Sequence, residues 1–139
     1  MSAASNYLEN KLLDHVLTAT SYTAPGTRYL ALFTNTSTAA AANLEAGTLT
    51  DEVTTSSSAY ARKAITFNAA SGGSSASAAT VTFDAATANW GTITHVAVMD
   101  GATAGAGNVL FYGAVTTSKT IETGDTFQVS AGNLTISLA

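Results

Sequence analysis

Cysteine is missing from the 139 residues, which rules out a disulfide framework, a thiolate metal site and a cysteine nucleophile. Charge is scarce, with 5 Lys and Arg against 9 Asp and Glu and a net charge of −4. The five cations, Lys11, Arg28, Arg62, Lys63 and Lys119, are scattered and form no basic stripe. Nucleic acid is therefore not an expected partner. No apolar run approaches the roughly 18 residues of a membrane span, so no membrane partner is expected either. The first residues, MSAASNYLENKLLDHVL, lack a basic leader, and Glu9, Lys11 and Asp14 interrupt any apolar stretch. They do not read as a secretory signal, and a soluble chain made in the cytoplasm is expected.

Small residues fill the space that charge leaves. Ala (28), Thr (24), Ser (14) and Gly (11) together make up 77 residues. Hydrophobic content is still 46%, too high for a disordered, charge-driven chain. The length fits one domain over residues 1–139. Low surface charge leaves little to resist association, so the composition suits a chain packed against copies or neighbours.

Hydrophobic spacing divides the chain into four parts. In the N-terminal arm and helix (1–21), Leu8, Leu12 and Val16 recur every four residues, with Leu13 and Leu17 beside them. This predicts a helix over Tyr7–Leu17, with Asn6 as N-cap and Glu9 three positions on. The stripe is broad enough either to cover the domain's own core or to dock on another chain. After Pro25-Gly26 the period becomes two. Arg28–Thr34 is apolar on both faces and reads as a central strand. Residues 35–58 then read as a long irregular loop, the kind that is functional or ordered by a partner.

From Tyr60 onward every segment reads as strand: Tyr60–Asn68, Thr80–Phe83, Thr92–Met99, Asn108–Thr116, Lys119–Glu122, Thr126–Val129 and Leu134–Leu138. Ser71–Ser75 reads as a flexible connection. The expected fold class is mainly β: a single antiparallel β-sandwich of about seven or eight strands with one short N-terminal helix. The expected core includes Leu8, Leu12, Leu30, Leu32, Phe33, Ile65, Phe67, Val81, Phe83, Val96, Val98, Leu110, Phe111, Phe127, Leu134 and Ile136.

Chemistry-bearing residues are few. His15 follows Asp14 on the helix, and His95 lies mid-strand beside Ile93, Ala97 and Met99. Nothing near either in sequence supplies a nucleophile–base arrangement. The acids are dispersed, without the alternating Asp/Asn and closing Glu of a calcium loop. Gly101–Gly107 (GATAGAG) has the wrong spacing for a phosphate loop and leads into a strand, not a helix. No catalytic residue, cofactor or metal is expected, and the chain reads as a non-enzyme.

Five segments carry a resemblance: SNYLENKLLDHVL, YTAPGTRYLALFT, YARKAITFNAASGG, VTFDAATANWGTITHVAVMD and NVLFYGAVTTSKTIETGDTFQVSAGNLTISL. Together they resemble small structural proteins of tailed bacteriophages, of the kind called phage tail fibre proteins, with related chains among virion decoration proteins. The sequence departs from that pattern at Asp84, where proline is usual, and at Thr54–Ser58, where glycines are expected.

The resemblance implies a non-catalytic virion structural protein. The leading expectation is a capsid decoration or cement protein bound to the outer shell. The alternative is a tail-associated fibre or adaptor protein contributing to host attachment. A small virion carbohydrate-binding or hydrolase domain is a lesser alternative. Expected partners are other virion proteins (the major capsid protein or tail proteins) or further copies of the chain on the particle. The candidate interface is Tyr7, Leu8, Leu13, Leu17 and Tyr22 with Leu44, Asp51 and Glu52 of the loop, because these segments read as the ones a sandwich needs least. With so few charges the contact is expected to be mainly apolar and only weakly salt-dependent.

Overall fold

A computed structural model describes residues 2–138. The strand read at Arg28–Thr34 forms as β2 (Arg28–Phe33), and both its faces are covered, as its doubly apolar pattern requires. It is paired on both edges, by β6 (Gly91–Met99) and by β3 (Lys63–Ile65). β6 pairs in turn with β7 (Val109–Ile121), and the two-residue β1 (Ala3–Ala4) closes that edge. The result is a five-stranded antiparallel sheet in the order β1-β7-β6-β2-β3. Two short ribbons complete the strands: β4 (Ser74–Ala76) with β9 (Thr135–Ser137), and β5 (Val81–Thr82) with β8 (Gln128–Val129).

The ribbons cover one face of the sheet. Leu30, Leu32 and Val96 meet Val81, Phe83 and Phe127 there, with Tyr60 and Trp90 closing one end. Tyr60 and Trp90 pack edge to face with ring centroids 5.5 Å apart, a favoured aromatic geometry. Further along that face Val98 and Leu110 are capped by Leu8 of helix α1 (Asn6–Leu17). The opposite face carries Ala31, Phe33, Ala97, Met99 and Val109, buried under Leu44.

Leu44 belongs to a second helix, α2 (Ala40–Ala46), which corrects the reading of 35–58 as an irregular loop. Its run of alanines favours helix, and Asn35 Oδ1 accepts from the Ala40 amide at 3.0 Å at its start, but the helix is short, so periodicity in the sequence is weak. It ends at Gly47, whose left-handed backbone (φ 81°) suits glycine.

Other expectations shift locally. Ser74 and Ser75 are strand and not a flexible link. Tyr60–Asn68 pairs regularly only over Lys63–Ile65. Lys119–Glu122 is not separate: Lys119–Ile121 is the end of β7, past an irregularity where pairing jumps from His95↔Ala114 to Ile93↔Lys119. Leu12, Phe67, Phe111, Leu134 and Ile136 are half-buried, whereas Leu44, Val53, Tyr60, Trp90, Ile93, Met99 and Val109 are fully inside. Ser5, not Asn6, caps α1. Its hydroxyl accepts from the Leu8 amide at 3.3 Å and donates to the Val109 carbonyl, fastening the helix to β7. Among the described residues no helix is long and apolar enough to cross a membrane.

Candidate interaction surface

Helix α1 buries one side and leaves the other bare. Leu8 is 4% exposed, but Leu13, Val16 and Leu17 are 56%, 75% and 73% exposed. Three large aliphatic side chains on one short helix form a contiguous apolar patch in water, a feature of contact surfaces. Tyr7 and Tyr22 flank it half-buried, and Lys11 lies over the Tyr7 ring at 5.8 Å. The Tyr22 amide donates to His15 Nδ1 at 3.2 Å, so His15 ties the following loop back to the helix. Of the residues read as an interface, Tyr7, Leu13, Leu17 and Tyr22 are accessible; Leu8 is not, because it roots the helix on the sheet.

The structure places the side chains of the other three expected interface residues inside the fold. Leu44 is buried beneath the sheet. Asp51 is buried and collects donors from one turn: Thr36 Oγ1 at 3.0 Å, the Ser37 amide at 2.9 Å and the Ser37 hydroxyl. Burial alone would raise its pKa, but these hydrogen bonds to the charged form prevail and hold it below the usual aspartate value. Asp51 thereby organises the approach to α2, whose Asn43 donates to the Ser37 hydroxyl at 3.1 Å.

Glu52 faces the other way, into a buried ion pair with Arg62 at 2.7 Å. Its carboxylate also accepts from Tyr60 Oη at 2.9 Å and from the Gly105 amide at 2.7 Å. Arg62 Nη1 donates to the carbonyls of Gly101 and Ala106 at 2.8 and 2.9 Å. Segments distant in sequence thus meet on one carboxylate and one guanidinium. The glycine-rich loop between β6 and β7 is fastened by this hub and by Asp100, which accepts from the Asn108 amide at 2.7 Å. Gly107 is required there, since a Cβ on it would lie 2.8 Å from Asp100 Oδ1. Burial and the adjacent Glu52 push the Tyr60 hydroxyl far above the ordinary tyrosine range, so it stays a neutral donor. The hub was not legible in the sequence, because Glu52, Arg62 and Gly101 are brought together by tertiary pairing alone.

His95 is half-buried, and burial lowers its pKa against the raising influence of Asp51. Its Nδ1 is 2.9 Å from the Thr94 hydroxyl. Among the described residues no three His, Asp or Glu side chains are grouped to hold a metal ion.

A second apolar feature lies beside the root of α1. An open groove has Phe67, Val98, Leu110, Phe111, Ile136 and Leu138 along it and Arg28 at one side. Leu138 is itself 56% exposed.

Comparison with known proteins places this architecture. The model of a family described as Podophage GP4 fiber I protein gp80 matches residues 3–137. No curated protein matches the chain. The match spans both helices and every strand, so the chain belongs to this family of bacteriophage fibre proteins and is a phage structural protein, a component of the virion.

Proposed function

We propose that this member of the fibre family is a tail-associated fibre component that joins other virion proteins through the bare face of α1 and does so without catalysis. The observation that carries the placement is the fibre family itself, matched over residues 3–137. It favours the tail over the shell decoration read first from the sequence. The observation that carries the contact surface is the patch of Leu13, Val16 and Leu17. A non-catalytic role accords with how the polar side chains are used. Glu52, Arg62, Asp51 and Asp100 hold loops, and His15 and His95 make local contacts.

Two measurements on purified virions test the placement: copy number by quantitative mass spectrometry, and position by gold-labelled antibody in electron micrographs. A few to tens of copies with label at the tail is the expected result. Hundreds of copies with label over the shell would overturn it in favour of decoration.

A further inference from the structure

We infer that the groove beside Arg28 receives helix α1 of a second copy of this chain. The inference rests on α1 being the contact face and deepens it by naming the partner. Two unsatisfied features on one molecule complement each other. The groove is apolar along Phe67, Val98, Leu110, Ile136 and Leu138, with a single cation at its side. That cation, Arg28, donates to the Pro25 carbonyl at 3.0 Å and forms no ion pair among the described residues.

The helix offers the converse: an apolar stripe bordered by acids. At 3.6 residues per turn Leu13 and Leu17 lie one turn apart, Glu9 precedes Leu13 by one turn, and Asp14 neighbours Leu17 at i, i+3. Glu9 and Asp14 are exposed, and neither forms an ion pair among the described residues. An aliphatic stripe edged with carboxylate thus matches an apolar trough edged with guanidinium, in both hydrophobicity and charge.

The same molecule does not satisfy itself. Its own α1 is anchored by Leu8 on Val98 and Leu110 at the groove's margin, while the stripe stays in water. Groove and stripe are different surfaces, so each copy gives one and receives one. Such a head-to-tail contact repeats into a ring or a filament, not a closed two-fold dimer.

Charge reversal on the full chain tests this, with association read by sedimentation velocity over a concentration series. The wild-type chain is expected to associate, and D14R and R28E are each expected to weaken association at least tenfold. An equimolar mixture of the two variants is expected to recover it. In an alternating assembly the reversed helix of one variant meets the reversed groove of the other, and the two unaltered surfaces meet each other. D14R lies on an exposed turn of α1 and leaves the fold intact, so the test stands even if R28E disturbs the Pro25 contact; circular dichroism checks both. A wild-type chain that stays monomeric at high concentration, or association indifferent to D14R, would overturn the inference. If such a chain still joins virions through α1, the proposed function stands and only the partner named here is wrong.

Discussion

Helices α1 and α2 are both short, and they solve opposite problems. α2 is alanine-rich and its N-cap residue, Ala39, makes no side-chain cap, yet Ala40 and Leu44 are each 1% exposed and close one face of the sheet. α1 is capped by Ser5 and rich in leucine, yet it leaves Leu13, Val16 and Leu17 in water. The difference lies in what surrounds each helix. α2 is held by a polar scaffold in which Asp51 binds Ser37, Ser37 accepts from Asn43 and Asn35 accepts from the Ala40 amide. The Glu52–Arg62 hub fixes the chain just beyond Asp51, and the few apolar atoms of α2 are thereby set over an uncovered sheet face. α1 is held by Ser5 and Leu8, with Tyr7 and Leu12 packed half-buried beside them, and its Leu13, Val16 and Leu17 have no counterpart among the described residues. Apolar content alone therefore does not tell which segment serves the core and which serves a partner.

Breaking the scaffold should have the largest effect. Arg62→Ala leaves the buried Glu52 carboxylate uncompensated and should cost about 3–5 kcal/mol, read from urea unfolding. Truncating the one leucine that α2 delivers, Leu44→Ala, should cost about 2–4 kcal/mol in the same assay. On the α1 side, Ser5→Ala removes a cap and a bond to the Val109 carbonyl and should cost about 1–2 kcal/mol. A Leu44→Ala loss within the range of ordinary surface substitutions (about ±0.5 kcal/mol) would erase the contrast between the helices.

Acid sharpens the comparison. The folded pKa of Asp51 is lowered, so its contribution is fully present above the unfolded value and is lost as pH falls through it toward the folded one. Stability should therefore decline as pH drops below the ordinary aspartate value of about 3.9. Asp51→Asn should flatten that decline relative to the parent chain in thermal melts taken at successive pH values.

The smallest effect concerns the turn before Tyr60. Ser57 and Ala59 adopt left-handed backbone (φ 53° and 57°), which costs about 1–2 kcal/mol for residues other than glycine. Ala59→Gly should be neutral to stabilising by under about 1 kcal/mol in urea unfolding, since glycine's extra chain entropy offsets part of the relief. The sequence lacks the glycines its resemblance led one to expect here, and the structure shows the backbone where they would fit.

The parts of this fold legible in the sequence are those with strong local periodicity: α1, the doubly apolar β2, and the strands with alternating Val, Ile and Phe. β5 and β8 are found in place but trimmed to two residues each, since only short ribbons are needed to cover the sheet. α2 was not legible because one buried leucine among alanines sets no period. Asp51 and Glu52 were picked out as polar residues in a loop, but their roles depend on Ser37, Arg62 and Gly105, which sequence distance hides. On the interaction surface, Leu13 and Leu17 were legible from an excess of apolar residues over what one helix face can bury. The groove that complements them was not, because its residues come from segments scattered between Arg28 and Leu138.

The contrast between the helices comes to a single competition experiment. Phage are assembled with equal supplies of the wild-type chain and an L13S/L17S variant, and the ratio in purified particles is read by mass spectrometry. The account predicts a variant whose melting temperature matches the wild type but which is depleted in virions at least tenfold. Equal incorporation of a well-folded variant would contradict it.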